Sequence, residues 1–531
     1  MKFKFKSFCV LFFLSVGLAF NIFPKDSGKH FILTLPKYNK ISEYCEWLEK
    51  TRPAGVMLTE FHMQDRAKTK QFCASLQEKA QALGIGPLII SVDYEGGIVS
   101  RGADVNGFIS VPSPYKLAKA GRIACCSAGK LIGHQLRDAG ITINFAPCLD
   151  LFDPENYILA TRCFSSDPHD VAIYGSAFVH GLLSEGVLPT IKHFPGLSAG
   201  NADTHTNNVT IDIDQYQFDK NILPFRSVLS LGLDIAIMVG HAEYKQFDGA
   251  PASSNPKVVS WIRQQNPNAL IIADDTAMQS YHRAPSEKEK LDCICDAAIK
   301  SINAGVDLLI LSASAEDQIK TIQKLDAMML DDMDNDKIDV RAKITELNKK
   351  LNLIVPSEMD EQKTSQELVQ KIDLGNASEI PATNKLLILS VDLSKIRPST
   401  SFQALNDAGD TTYQTLLASL FKNNGNVSSE FVLNPMSEDS IDELKNLTYN
   451  SSFQNCDNII LQTFFFSGSI FNNNQKEWLK LLRPYAKKLT IISLGHPYER
   501  LIIPDSQIIE LGSFNSQLIH AAFDQLKKKP F

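Results

Sequence analysis

The sequence predicts an α/β protein in which a (β/α)8 TIM-type barrel is followed by a smaller three-layer α/β/α sandwich domain. Short apolar, β-branched runs recur along the first 311 residues, and most of the gaps between them are long enough for a helix. This alternation indicates parallel strands joined by helices. Eight such units over about 300 residues favour a closed barrel. A doubly wound open sheet remains the alternative here, because periodicity alone does not show closure.

The eight predicted barrel strands are short runs of five residues. They lie at 31–35, 55–59, 88–92, 142–146, 188–192, 235–239, 269–273 and 307–311. After Pro356 the composition becomes polar, which indicates a partly helical linker over 357–383. Further strand-like runs follow at 386–391, 458–463, 488–493 and 506–510. We therefore expect a barrel domain over 28–356 and a second domain over 384–531.

The chain length indicates the number of domains, and the net charge argues against a nucleic-acid binder. A chain of 531 residues is too long for one hydrophobic core, which agrees with two domains. The formal net charge is −7 and the sequence pI is about 5.9. An acidic chain of this kind lacks the basic face of a nucleic-acid binder, so no nucleic-acid partner is expected.

The N-terminus has the pattern of a secretory signal peptide. Lys2, Lys4 and Lys6 precede an apolar stretch over 7–20 that contains small residues near its end. We predict a leader over 1–22 and an exported protein, periplasmic or extracellular, with no stable membrane insertion after cleavage. An uncleaved N-terminal anchor is the alternative interpretation, although the run is short for a spanning helix.

The cysteines carry no recognisable pattern. One of the ten lies in the predicted leader, and the other nine are scattered without the spacing typical of zinc sites. Export would permit disulfides, but the sequence assigns none. Most of these cysteines are expected to be buried small residues or free thiols.

Polar and charged side chains follow the C-terminal ends of five predicted strands. They are Asp93 and Glu95, Asp150, Lys192 and His193, His241, and Asp274 and Asp275, on the third to seventh strands in turn. Active sites of such barrels form at this edge. Carboxylates with no catalytic role would scatter over both ends of the barrel, so the clustering predicts an active site here.

The segment 191–205 (IKHFPGLSAGNADTH) is the most distinctive of these strand ends. It continues into a loop that carries Asp203 and His205. A carboxylate two residues from a histidine can orient the imidazole and raise its basicity, which makes a general acid/base. An ordinary exposed loop histidine fits the spacing equally well. No HxH or HExxH pattern occurs, so a metal site is disfavoured.

The segment 270–278 (LIIADDTAM) places two adjacent carboxylates at the end of an apolar strand. Acids in such a position are costly unless they are hydrogen-bonded or functional. One could be a nucleophile and the other a brace or helix cap. The structural role fits Asp275 better than Asp274.

Taken together, these segments resemble family 3 glycoside hydrolases, in particular the two-domain members of the β-N-acetylhexosaminidase branch. The similar segments occur in family order over about 30–355, and they are VDYEGGIVSR (92–101), INFAPCLDL (143–151), TRCFSSDP (161–168), KHFPG (192–196) with DTH (203–205), IMVGHAEY (237–244) and IADDTAM (272–278). A weaker similarity, IISLGHPYERL (491–501), involves the C-terminal domain of two-domain members.

The resemblance implies a role for each matched residue. Asp274 corresponds to the nucleophile that forms a covalent glycosyl-enzyme, and His205 to the general acid/base with Asp203 as its partner. This His–Asp pair departs from the usual scheme of two carboxylates. Four residues correspond to those that hold the sugar hydroxyls and the N-acetyl arm, namely Asp93, Arg162, Lys192 and His193. No cofactor and no metal are implied.

Two positions differ from the family pattern. Leu197–Ser198 replaces the usual His-Gly after KHFPG, and Asp-Thr-His replaces Asp-Ser-His. The distance along the chain to Asp203 and His205 is unchanged, so the acid/base assignment is kept. The first difference bears on leaving-group contacts and on substrate preference beyond the first sugar subsite.

The resemblance therefore implies a retaining exo-β-N-acetylglucosaminidase that acts on peptidoglycan or muropeptides. The expected partner is a glycan containing N-acetylglucosamine, and the expected state is a monomer. One alternative is a phosphorylase in which phosphate replaces water, although no dedicated phosphate cradle appears among the motifs. The other is an inactive sugar-binding cell-wall protein. The joint presence of Asp274, His205 and Asp203 argues against an inactive protein.

Overall fold

The computed structural model describes residues 26–102, 106–153, 156, 159–198, 209–328, 339–374, 385–391, 427–433, 437, 439–463, 469–494, 502–503, 507–511 and 516–526. Asp203, His205 and the predicted leader over 1–22 lie outside these residues. Within them, no helix combines the length and the apolar content that a membrane span requires.

Eight parallel strands close into a barrel in the order of the chain. They are β1 (Phe31–Thr34), β2 (Gly55–Met57), β3 (Ile89–Val92), β4 (Ile143–Asn144), β5 (Leu188–Phe194), β6 (Ala236–Val239), β7 (Leu270–Asp275) and β8 (Leu308–Leu311). β1 pairs with β2 on one side and with β8 on the other. The predicted barrel is confirmed, and closure excludes the doubly wound sheet.

Helices cover the outside of the barrel and continue into the second domain. They are α1 (Ile41–Thr51), α2 (Arg66–Ala82), α3 (Pro114–Ala120), α4 (Arg122–Asp138), α5 (Pro168–Ser184), α6 (Gln215–Leu229), α7 (Pro256–Gln265), α8 (Gln279–His282), α9 (Lys290–Ala304), α10 (Ala315–Met328), α11 (Val340–Asn352), α12 (Glu361–Gln370), α13 (Asp439–Thr448), α14 (Ser451–Gln454), α15 (Ser469–Leu482) and α16 (Ser516–Leu526). Short 3-10 turns lie at Ser27–His30, Glu60–His62, Ala160–Arg162, Lys245–Phe247, Ala252–Ser254 and Arg483–Lys488.

Alternation along the strands separates two apolar cores. In β1, Ile32 belongs to the cluster that fills the barrel, whereas Phe31 and Leu33 pack in the cluster shared with the outer helices. Helix α11 closes the N-terminal end of the barrel, because Val340 and Ile344 join the inner cluster. The opposite, C-terminal end carries the polar residues singled out in the sequence.

The second domain is built on a parallel sheet of five strands. Its strands are β9 (Leu386–Val391), β10 (Val427–Leu433), β11 (Asn458–Thr463), β12 (Leu489–Ser493) and β13 (Gln507–Glu510), in the spatial order β10-β9-β11-β12-β13. The predicted α/β sandwich and four of its strands are confirmed. The fifth, β10, was missed because Ser428, Ser429 and Glu430 interrupt its apolar pattern. Among the described strands it lies at the edge of the sheet and pairs with β9, and polar residues are tolerated at an edge.

The segment after the barrel packs against both cores. Within 357–383, the buried Leu368 of α12 joins the barrel cluster, while Ile372 and Leu374 join the core of the second domain. Glu361 accepts hydrogen bonds of 2.8 Å from the guanidinium of Arg66. The domain limits at 28–356, 357–383 and 384–531 remain predictions.

A buried ion pair joins the two domains. Lys116 of α3 is 1% exposed, and its Nζ donates to Glu510 Oε2 at 3.1 Å and to the Asp373 carbonyl at 2.8 Å. The Lys119 ammonium lies 3.5 Å from the same Glu510 oxygen. Burial lowers the pKa of Lys116, and the carboxylate of Glu510 opposes this shift. The buried charges of Lys116 and Glu510 therefore compensate each other.

We predict that Lys116→Met lowers the free energy of unfolding by about 3 kcal/mol, because it removes a buried cation that compensates the charge of Glu510. The double variant Lys116→Met/Glu510→Leu should recover most of the loss, since it removes both charges. Urea denaturation of the full chain measures both effects. Lys445→Met, in an exposed pair with Asp442, is the matched control and should change stability by less than about 1 kcal/mol. Equal losses in the single and the double variant would contradict this account.

Candidate active site

The candidate site lies at the C-terminal end of the barrel. Asp93 directly follows β3, Lys192 and His193 lie near the end of β5, and Asp274 lies near the end of β7. Arg162 comes from a 3-10 turn after β4. Parallel strands of a closed barrel end on one side, so side chains far apart in sequence converge there. Asp203 and His205 lie outside the described residues.

A buried carboxylate, Glu95, holds the two cations of this site. Its side chain is completely buried, and it accepts from Arg162 Nε at 2.8 Å and from Arg162 Nη2 at 2.8 Å. Lys192 Nζ lies 2.6 Å from Glu95 Oε1 and 2.8 Å from Asp93 Oδ1. The structure thus brings together Asp93 and Lys192, which the sequence placed at strand ends, and Arg162, which only the family resemblance singled out. The sequence placed Glu95 at the strand end but did not identify its central role.

The charges of this cluster stabilise one another. Burial raises the pKa of Glu95, but the charges and hydrogen bonds of Arg162 and Lys192 outweigh burial and bring it to about 2. Burial disfavours the Lys192 ammonium, yet Asp93 and Glu95 raise its pKa overall. Arg101 is buried nearby, where burial and the charge of Arg162 lower its pKa to about 10. Glu95, Lys192 and Arg101 therefore remain charged at neutral pH.

A second carboxylate, Asp150, orients His193. Asp150 Oδ2 lies 2.7 Å from His193 Nδ1 and accepts from the His193 amide at 3.1 Å. On its other side, His193 Nε2 lies 3.4 Å from Arg162 Nη2. A guanidinium only donates, so this arrangement fits a neutral imidazole with its proton on Nδ1. Asp150 therefore presents the Nε2 edge of His193 towards Arg162.

Asp150 also contacts Leu197, one of the two residues after KHFPG that depart from the family pattern. The amide of Leu197 donates to Asp150 Oδ1 at 2.6 Å, and the hydroxyl of Ser198 accepts from the Leu151 amide at 2.7 Å. The Leu197 side chain packs against Cys148 and Cys163. Leu197 and Ser198 thus fix the start of this loop through apolar contact and hydrogen bonding.

The two carboxylates at the end of β7 have different surroundings. Asp275 Oδ1 accepts from the amides of Ala277 at 3.0 Å and Ser312 at 2.9 Å, which ties the end of β7 to the end of β8. Burial raises the pKa of Asp275, against the effect of these hydrogen bonds. Asp274 and Asp275 are both partly exposed, and Asp274 Oδ1 accepts from the Asp275 amide at 2.8 Å. This geometry fits Asp275 as a brace.

His241 also contacts the end of β7. It is buried, with Nδ1 2.8 Å from Ser253 Oγ and Nε2 3.1 Å from the Asp275 carbonyl oxygen. Both ring nitrogens therefore have structural partners. We interpret His241 as a residue that holds the β7 end in place.

The described groups are suited to a ligand rich in hydroxyls. Asp93 is 19% exposed and offers acceptor oxygens, while Lys192 and Arg162 offer several charge-assisted donors. Among the described residues, ligand atoms of Cys148, Asp150 and His193 also lie within 4.8 Å of one another, close enough to hold a metal ion.

Comparisons with known proteins agree with the sequence segments and the fold. Residues 28–343 match the model of the glycosyl hydrolase family 3 N-terminal domain. Beta-hexosaminidase A of Pseudoalteromonas piscicida is 28% identical over 338 residues, 59% of this chain and 54% of that protein. Beta-hexosaminidase LpqI of Mycobacterium tuberculosis is 30% identical over 248 residues, 46% of this chain and 63% of that protein. The matches thus span less than two thirds of each relative's length.

The structural similarity covers more of the chain than the sequence matches do. The structure of a glycoside hydrolase family 3 beta-N-acetylglucosaminidase from Paenibacillus sp. str. FPU-7 superposes with a TM-score of 0.79 at 20% identity. The likeness covers 95% of this chain and 97% of that chain. Both domains therefore share the architecture of that protein.

We predict that Glu95→Gln lowers the free energy of unfolding by about 3–5 kcal/mol at pH 7, because Arg162 and Lys192 lose their buried counter-charge. The folded-state pKa of about 2 lies below the value of about 4.3 in an unfolded chain. The stabilisation by the Glu95 charge is therefore complete above about pH 4.3 and is lost as the pH falls towards 2.

Denaturant unfolding at several pH values measures this effect. The gap between the wild type and Glu95→Gln should stay constant above pH 4.3 and narrow below it. Glu316→Gln, in an exposed pair with Lys320, is the control and should change stability by less than about 1 kcal/mol. A Glu95→Gln variant as stable as the wild type at pH 7 would show that Glu95 does not hold the two cations.

Proposed function

Because the chain belongs to glycosyl hydrolase family 3, we propose that it is a retaining exo-β-N-acetylglucosaminidase. The observation that carries the proposal is the shared position of Asp274 and the Glu95-centred cluster at the C-terminal end of one barrel. A candidate nucleophile and a polar binding surface are both needed for glycosyl transfer. The relatives named beta-hexosaminidase support the same reaction class.

The reaction proceeds in two steps. Asp274 attacks the anomeric carbon and forms a covalent glycosyl-aspartate, while His205 protonates the departing oxygen. His205 then acts as a base and removes a proton from the water that releases the sugar. Asp203 stabilises the imidazolium that donates the proton in the first step and that forms again when His205 takes the proton of water in the second. Asp274 is supported by its place at the end of β7, and His205 and Asp203 are supported by their match to the family segment.

The first sugar subsite is formed by the four residues that the sequence singled out. Asp93 accepts hydrogen bonds from sugar hydroxyls, and Lys192 and Arg162 donate to hydroxyl and N-acetyl oxygens. His193 completes the surface through its Nε2 edge. Glu95 and Asp150 position these side chains from behind. The reaction requires no cofactor and no metal.

The substrate in this proposal is the terminal N-acetylglucosamine of peptidoglycan or muropeptides. Its support is the resemblance to the β-N-acetylhexosaminidase branch together with the predicted leader over 1–22, since an exported enzyme meets the cell wall. The sugars of such a substrate carry hydroxyls that suit the paired donors and acceptors around Lys192.

The experiment that tests the function is product analysis with the full chain. The protein should release the chromophore from an aryl β-N-acetylglucosaminide and free N-acetylglucosamine from a disaccharide muropeptide. It should leave aryl β-glucosides nearly intact. In phosphate buffer the main product should still be the free sugar. Sugar 1-phosphate as the main product would make the protein a phosphorylase, and sugar binding without any turnover would make it a binding protein.

We predict that Asp274→Ala lowers kcat by about 10⁴-fold or more, because the covalent step loses its nucleophile. A 5-fluoro N-acetylglucosaminyl fluoride should label one peptide, and that peptide should contain Asp274. Asp275→Asn is the matched control and should cost about 10²-fold or less, through local geometry. Labelling of Asp275 or Glu95 would overturn the assignment.

We predict that the effect of His205→Ala depends on the leaving group. Muropeptides need protonation of the departing oxygen, so their turnover should fall by about 10²- to 10⁴-fold in the first step. The leaving groups of activated aryl substrates depart without a proton, so the first step should slow far less on these substrates. Pre-steady-state measurement of the glycosylation rate on both substrates separates the two cases. Equal losses on both would indicate that His205 only shapes its loop.

A further inference from the structure

A group of metal-binding atom types surrounds one carboxylate oxygen beneath the proposed sugar subsite. Cys148 Sγ lies 3.1 Å from Asp150 Oδ2, and His193 Nδ1 lies 2.7 Å from the same oxygen. The ligand atoms of these three residues all lie within 4.8 Å of one another. Cys148 and Asp150 are almost completely buried, and the His193 side chain is 9% exposed. The group therefore lies below the surface of the site, with His193 as its most exposed member.

A second thiol adjoins this group. Cys163 is 0% exposed and lies in the same small cluster as Cys148. The two cysteines and Leu159 form a small apolar cluster, against which Phe152 and Leu197 pack. Cys148 follows β4 and Cys163 follows the turn that carries Arg162, so the pair is separated in the chain and shows no zinc-like spacing. The fold alone brings the two thiols together.

We propose that Cys148, Asp150 and His193 form a binding site for a thiophilic divalent cation such as zinc or cadmium. One thiolate, one carboxylate oxygen and one imidazole nitrogen are donors that such ions bind. Binding releases the Cys148 thiol proton to solvent. The ion takes the place of the hydrogen bonds that Cys148 and His193 now make to Asp150. Small movements of the side chains open the space for it.

Occupation of this site opposes sugar binding rather than catalysing a reaction. A cation on His193 Nδ1 forces the imidazole proton onto Nε2. Nε2 lies 3.4 Å from Arg162 Nη2, which only donates, so two donors would then face each other. His193 and Arg162 both belong to the proposed sugar subsite. The cation is therefore a reversible inhibitor, and the reaction itself still requires no metal.

Cys295 is a buried thiol with simpler surroundings. It is also 0% exposed, but its thiol donates to the Thr321 carbonyl at 3.9 Å, and it belongs to no group of metal-binding side chains among the described residues. Cys295 thus provides a matched control for the loss of one buried thiol.

The test is a cadmium titration of the full-length protein, followed by the ultraviolet absorption of thiolate-to-cadmium charge transfer and by equilibrium dialysis. The wild type should bind one equivalent tightly with this absorption. Cys148→Val should lose the tight equivalent, whereas Cys295→Val should retain it. Absence of the absorption in the wild type, or its full retention in Cys148→Val, would overturn the proposal.

A measurement on the wild type alone keeps the test independent of how well the variants fold. X-ray absorption of the zinc-loaded protein should show sulfur at about 2.3 Å together with nitrogen or oxygen at about 2.0–2.2 Å. A shell of nitrogen and oxygen without sulfur would contradict the site. In activity assays, one equivalent of zinc should inhibit the wild type and Cys295→Val, and a chelator should restore both.

Discussion

The carboxylate of Glu95 is the constraint on which the candidate site depends. Two cations, Arg162 and Lys192, come from different parts of the barrel and lie together, largely buried. Removing charges from water is costly unless they are paired and hydrogen-bonded. Glu95 supplies both compensations, and this places the donors beside the more exposed Asp93. A binding surface for hydroxyl groups can therefore be preorganised only because a fully buried acid lies behind it.

Asp150 has the corresponding function on the other side of the site. One of its oxygens meets His193 and Cys148, and the other accepts from the amide of Leu197. Its carboxylate therefore contacts the imidazole, the Cys148 thiol and the start of the loop that leads to Asp203 and His205 in the sequence. The ligand atoms of Cys148, Asp150 and His193 lie close together, and this grouping also explains why a thiophilic cation would compete with the sugar.

The second domain reaches the candidate site through the hairpin that carries Glu95. Tyr94–Gly96 pairs with Val99–Ser100, and Ile98 in the turn between them packs against the core of the second domain. The buried pair of Lys116 and Glu510 fixes the same two domains to each other. The second domain thus contributes apolar contact to the segment that holds the central carboxylate. This contact gives the C-terminal domain a structural link to the site.

The sequence by itself determined the barrel, the sandwich domain, the family and the end of the barrel where the polar residues meet, because apolar period and strand-end position are local properties of the chain. It also distinguished Asp275 as the better structural brace of the two adjacent acids. Only the tertiary structure decided that Glu95 pairs with both cations and that Cys148 meets Cys163. It also revealed β10, whose polar residues hide an edge strand. Such pairings depend on how distant segments converge when the barrel closes, and spacing along the chain carries no record of that convergence.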